Sequence, residues 1–224
     1  ARVNYTVNNK YLLTASIRAD GSSRFGSDNR WGYFPSAALA WRASEESFIK
    51  DLNIFSNLKP RVSFGITGNQ DGIGTYPAYA LLGSNGYVAG GDKVTGYYPS
   101  QVANTNLKWE TTSQFDAGID FGFLNGRIGG SVDLYLQNTN DLLMDRQLPI
   151  VSGFGNVTTN IGQIRNKGLE VTLNTVNIDT KDFKWTTDFM FSVNKEEIVE
   201  LYNGKVDDEG NKWFIGQPVK VFYD

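Results

Sequence analysis

The side chains with chemical potential are carboxylates and tyrosines. Asp116, Asp120, Asp133, Glu170 and Asp188 suggest paired acids for general acid–base work. The chain has no His and no Cys, which excludes serine triads, HExxH zinc sites and thiolate ligands within it. Gly72-Ile73-Gly74 and Gly153-Phe154-Gly155 lack the third glycine and the strand–helix setting of a dinucleotide site. The acidic run Asp207, Asp208, Glu209 lacks the remaining ligand positions of an EF-hand and reads as a solvated loop. The five tyrosines Tyr76, Tyr79, Tyr87, Tyr97 and Tyr98 crowd one stretch, and their amphipathic rings suit sugar faces or peptides. They are the candidate ligand-binding residues, with self-packing of the loop as the alternative. No metal or cofactor is expected, and the reading is of a protein that is not an enzyme.

The carboxylates are explained by where they fall. In Trp109–Leu136 the odd positions Phe115, Ala117, Ile119, Phe121 and Phe123 are apolar, while Gln114, Asp116, Gly118, Asp120 and Gly122 are small or polar. Strict period-2 alternation is a β-strand with unlike faces. Asn125-Gly126 supplies a type I′ turn, since both residues tolerate positive φ. That turn predicts the pairs Phe123–Ile128, Ile119–Val132, Ala117–Leu134 and Phe115–Leu136, so the apolar set moves from odd to even positions across it. The acids then share the polar face. From Trp109 to Phe121 is about 40 Å of strand at roughly 3.3 Å per residue, which tilted by about 45° climbs roughly 28 Å, the height of an outer-membrane apolar band.

The same alternation recurs along the chain. Arg2–Val7 and Tyr11–Ala19 pair around Asn8–Lys10, with Val7 opposite Tyr11 and Tyr5 opposite Leu13. Tyr33–Ser44 and Arg61–Thr67 are further strands, separated by a Ser44–Leu58 segment that reads as short helical turns begun at a Ser44 cap. Leu169, Val171 and Leu173 face Phe189, Phe191 and Val193 across an odd-length turn near Lys181. Asn69–Asn106 has seven Gly, five Tyr and no sustained period; Asn138–Asn166 reads as a long polar connection. Tight turns at one end and long loops at the other are the asymmetry of an outer-membrane barrel. Tyr11, Trp41, Phe123 and Trp185 at the turn end, with Tyr33 and Trp109 at the loop end, are placed as interfacial girdles. A soluble β-sandwich serving as a carbohydrate-binding or adhesion module is the alternative.

Length and charge agree with this. The chain has 224 residues, a net charge of −3 and a pI near 5.1, so no nucleic-acid partner is expected. No apolar run approaches the roughly 18–20 residues of a membrane helix. The N-terminus has no signal-peptide pattern and starts inside a strand pattern, as an internal piece of a longer protein would.

Several blocks resemble the SusC/RagA family of TonB-dependent outer-membrane transporters: RADGSSRFG (18–26), WGYFPSAALAW (31–41), LKPRVSFGITGN (58–69), NLKWETTSQFDAGIDFG (106–122), NIGQIRNKGLEV (160–171) and NKEEIVEL (194–201). They run through nearly the whole chain in the family's order. The resemblance implies an all-β fold, an antiparallel up-and-down barrel of about 22 strands. Residues 1–224 would supply about eight of them, without the N-terminal plug or the C-terminal strands. It also implies energy-coupled import of oligosaccharides or peptides, a SusD-like surface lipoprotein as lid, the TonB complex as energy source, and outer-membrane lipid around the wall.

Overall fold

The computed structural model describes residues 1–221. Its main body is one antiparallel sheet of eight strands, β1 (Arg2–Val7), β2 (Tyr11–Gly21), β3 (Trp31–Trp41), β4 (Phe55–Asn69), β7 (Glu110–Phe123), β8 (Ile128–Asn140), β11 (Gln163–Asp179) and β12 (Lys184–Glu200), each beside its neighbour in that order. Two hairpins stand apart from it: β5 (Leu81–Ala89) with β6 (Asp92–Gln101), and β9 (Leu143–Gln147) with β10 (Asn156–Asn160). Consecutive pairing throughout is an up-and-down meander. A sandwich would need a second sheet over the apolar face. Among the described residues the other sheets are only these two-stranded hairpins, so the soluble alternative is not the architecture.

The registers follow the apolar pattern. Phe123 pairs with Ile128, Ile119 with Val132, Ala117 with Leu134 and Phe115 with Leu136. Val7 lies opposite Tyr11, and Leu169, Val171 and Leu173 lie opposite Val193, Phe191 and Phe189. One face of the sheet thus carries Tyr5, Leu13, Leu39, Val62, Phe64, Phe115, Leu134 and Phe191, all exposed. A continuous exposed apolar face of this extent is unstable in water and fits a lipid solvent.

The structure differs from the pattern reading at several points. The Asn125-Gly126 turn keeps its bond from Arg127 N to Leu124 O at 3.2 Å, but Leu124 is itself left-handed (φ 53°) and pairing stops at Phe123–Ile128. The β11–β12 turn has four residues, 180–183, and a bulge between Val176 and Ile178 restores the odd offset. Ser44 caps no helix. A 3-10 turn at Ala43–Glu45 and one α-turn at Ser47–Lys50, named α1, exhaust the helical part, and β4 begins at Phe55. Strands β8 and β11 reach Asn140 and Gln163, so the long connection between them shrinks to the β9–β10 hairpin. β12 runs on beyond its apolar positions Phe189, Phe191 and Val193 to Glu200.

The buried core sits at the loop end. Phe25, Phe34, Ile73, Leu107 and Trp109 form one cluster, with Ile66 and Leu143 against it. Trp109 is therefore not a girdle residue: its ring packs on Phe25 and Phe34, and its Nε1 donates to Arg30 O at 3.2 Å. It precedes β7, so strand alternation never applied to it. Pairing of β3 with β4 spans only Ser36–Ala40 and Gly65–Arg61, and this aromatic cluster fastens the loops above that short ladder.

Candidate functional site

Two arrangements carry polar chemistry: the polar face of the sheet and the hairpins at its loop end. On the polar face, Arg61 of β4 reaches across β7 to β8. Its Nε donates to Asp120 Oδ1 at 3.2 Å, and its Nη2 lies 2.7 Å from Asp133 Oδ1 and 2.8 Å from Oδ2. Lys59 Nζ is the second partner of Asp120. Register explains the reach, since Arg61 is opposite Gly118 and Gly118 is opposite Asp133. Only a residue without a side chain leaves this passage open: a Cβ on Gly118 would run into Asp133 Oδ1 and stand 3.2 Å from Arg61 Cζ.

The other predicted carboxylates are engaged separately. Asp116 accepts from Ser63 Oγ (3.0 Å) and Gln114 Nε2 (2.8 Å), and Asp188 accepts from Asn174 Nδ2 (2.7 Å). Glu170 is exposed on the same face, opposite Asp133 in register. The structure thus brings Asp120 and Asp133 together through one shared cation, Arg61. Both acids are held as members of one ion-pair network with Arg61 and Lys59 on the polar face. Among the described residues no cluster of His, Cys, Asp and Glu could hold a metal ion. In the acidic run near the end Asp207 and Glu209 are exposed, as a solvated loop requires, and Asp208 is the exception. Asp208 is buried; burial works to raise its carboxyl, but the side-chain and backbone donors of Asn211 hold it below the usual carboxylate value.

At the loop end the aperiodic stretch contains β5 and β6, joined at Gly90-Gly91, both with positive φ. The pairs Gly83–Tyr98, Asn85–Gly96 and Tyr87–Val94 share one face of this hairpin, and Ser84–Tyr97 lies on the other with Leu82 and Val88. Tyr98 lies against Gly83, where an added Cβ would be 2.7 Å from the ring's Cζ. Tyr87 lies against Gly96, with Cε1 at 3.1 Å from such a Cβ. Each ring has one side on the hairpin backbone and remains about half exposed, 54% for Tyr87 and 51% for Tyr98. Tyr76 and Tyr79 sit below the hairpin, where their carbonyls accept from Gln101 Nε2 at 2.7 and 2.9 Å. So the five tyrosines do not form one group: Tyr87 and Tyr98 share a face, Tyr97 turns away, and Tyr76 and Tyr79 brace the base.

Residues that pattern reading passed over hold these hairpins in place. Asn160 Oδ1 accepts from Lys108 N (2.8 Å), while its Nδ2 donates to Lys108 O (2.7 Å) and Asp141 O (3.0 Å). Asn104 Nδ2 donates to Thr158 O (2.8 Å), and Glu110 accepts from Asn69 Nδ2 (3.0 Å) and Leu143 N (3.1 Å). The feet of both hairpins are therefore tied to each other and to the top of the sheet. The Asn-rich joints are the only sequence signal of this.

Comparison with known proteins gives a consistent result. The profile of the family described as "TonB dependent receptor-like, beta-barrel" matches residues 1–219. The chain is 42% identical over 228 residues to the TonB-dependent receptor SusC of Bacteroides thetaiotaomicron, covering 98% of this chain and 23% of that protein. It is 42% identical over 210 residues to the TonB-dependent receptor P39 of Formosa agariphila, covering 94% and 20%. Among solved structures, that of the RagAB peptide transporter superposes with a TM-score of 0.86 at 34% identity, over 97% of this chain and 24% of that one. The chain thus spans about a quarter of the length of the proteins it matches.

Proposed function

This chain belongs to the TonB-dependent receptor family, within its β-barrel, and we propose that the whole protein is an outer-membrane importer of the SusC/RagA type. In this reading residues 1–224 form part of one barrel wall. The apolar face meets lipid, the Lys59–Arg61–Asp120–Asp133 face lines the interior, and the two hairpins stand on the extracellular side. The protein moves its cargo and leaves it chemically unchanged. Energy comes from the TonB complex, and a SusD-like lipoprotein closes the extracellular opening. The cargo is an oligosaccharide or a peptide; RagAB is a peptide transporter. Tyr87 and Tyr98 are the cargo-facing pair, since their outer ring faces are free to stack on a flat or apolar group.

The observation that carries the reading is the eight-strand meander of long strands with an exposed apolar face, an ion-paired polar face, tight turns at one end and hairpin loops at the other. Gene deletion tests it. Uptake of labelled oligosaccharides or of labelled peptides should fall in the deletion strain and return with the intact gene. Unchanged uptake of every member of both classes would refute it.

A further inference from the structure

The 42–54 connection at the turn end is fastened to the girdle by one carboxylate. Glu46 Oε2 is 2.7 Å from Lys10 Nζ, and its Oε1 accepts from Tyr11 OH at 2.9 Å and Trp41 Nε1 at 3.3 Å. Tyr11 and Trp41 are a cross-strand pair on the apolar face, in register with Leu13–Leu39, and their rings stack at 6.5 Å between centroids. Glu46 reaches both polar tips only if the connection runs along the apolar side of the wall at girdle level. Its neighbour Glu45 is paired with Lys50 at 2.7 Å, so both glutamates are neutralised. Beyond them, Phe48, Leu52 and Ile54 are 60%, 53% and 54% exposed. Phe48 lies in the α1 turn and Leu52 in the turn that follows it, where Leu52 N donates to Ile49 O at 3.2 Å.

We propose that this connection is a membrane-interface wedge: Glu46 hooks it beneath Tyr11 and Trp41, and Phe48, Leu52 and Ile54 enter the phospholipid leaflet on the turn side of the barrel. The inference rests on the reading of the apolar face as a lipid-facing wall, with which the wedge is continuous through Tyr11 and Trp41. Three exposed apolar side chains beside neutralised carboxylates suit the boundary between headgroups and acyl chains, where short amphipathic segments lie. Tyr and Trp tips hydrogen-bonded at that level mark the same depth. An anchor here fixes the height of the β3–β4 end of the wall, where the ladder between those strands is short.

Site-directed spin labelling tests it in the full-length protein, reconstituted in vesicles of phosphatidylethanolamine and phosphatidylglycerol. This chain contains no Cys, so a single introduced Cys labels one site within it. Nitroxides at Phe48→Cys and Leu52→Cys should show an oxygen-to-nickel-chelate accessibility ratio several-fold above that at Lys181→Cys, on the β11–β12 turn. The ratio should lie between that reference and Leu134→Cys, in the middle of the apolar face. Adding Glu46→Ala should drop the ratio at position 48 toward the Lys181 value. If Leu134→Cys reads as aqueous, the wall reading fails. If it reads as lipid while positions 48 and 52 read as aqueous, the wedge alone fails. Low access to both relaxants at 48 and 52 would mark a protein contact and also overturn it. An unchanged ratio in the Glu46→Ala background would overturn the hook.

Discussion

Replacing Arg61 by Met removes the cation that joins three strands on the polar face. Asp120 keeps Lys59, whereas Asp133 loses Arg61, its ion-pair partner on β4. Leaving one member of a fully buried pair alone costs about 3–5 kcal/mol. This pair is not fully buried: the Arg61 side chain is 38% exposed and those of both aspartates 21%. Water and counter-ions reach it, which brings the expected cost to about 1–2 kcal/mol, toward the range of partly exposed charged hydrogen bonds. Asp133→Asn alone should cost a similar amount. The double variant should cost about the same as either single one, because the second change removes a charge that the first had stranded; this is a coupling of about 1–2 kcal/mol. Urea titration of the refolded full-length protein in vesicles, with all four members of the cycle, measures it. Additive single effects would mean that Arg61 and Asp133 do not act together, and the ion-pair-network account would be wrong.

Gly118→Ala attacks the same site sterically and should destabilise by about 1–3 kcal/mol, as overpacking does, in the same urea assay. Tyr87→Ala with Tyr98→Ala should weaken cargo binding about tenfold, roughly 0.7 kcal/mol per ring, while Tyr97→Ala should leave it nearly unchanged; calorimetry with the transported cargo reads this. The hydrogen bond from Lys10, then that from Tyr11, holds the Glu46 carboxyl below its ordinary value. Its contribution is therefore complete above the unfolded value of about 4.3 and is lost as pH falls through the lowered folded value. Stability measured from pH 7 downward should stay level in this contribution until near that range, and Glu46→Gln should flatten the acid-side decline.

Much of this was legible because a barrel wall repeats one rule. Where a strand separates lipid from the interior, each odd–even step changes solvent, so Phe115–Phe123 and Ile128–Leu136 announce both strand and register. The rule fails where both faces meet water. Strands β5 and β6 stand clear of the wall, and on their paired face glycines alternate with tyrosines in place of an apolar row; Gly90-Gly91 was the one remaining hairpin mark. The β9–β10 hairpin, LMDRQ with NVTTN, is similarly mixed. The Ser44–Leu58 segment misled for another reason. Its Ser-Glu-Glu-Ser run resembles a capped first turn, but Asn53 is left-handed (φ 52°) and the chain then joins the β4–β7 ladder at Phe55. Of the site, the acids could be assigned to the polar face from parity alone. Arg61 bridging over Gly118 could not, because it depends on three strands at once.

The central claim is that odd positions of β7 and even positions of β8 face lipid. Arginine placed along those faces tests it most directly, read as the folding free energy of full-length variants in vesicles. Leu134→Arg, mid-strand on the apolar face, should cost about 2–4 kcal/mol, and Thr111→Arg, near the loop end of that face, about 0–1 kcal/mol. Gln114→Arg, on the polar face beside Asp116, should also stay within about 1 kcal/mol; Gly118 is unsuitable as the control because Arg61 and Asp133 fill its space. Equal penalties at Leu134 and Gln114, or a penalty at Thr111 as large as at Leu134, would contradict the lipid-facing assignment.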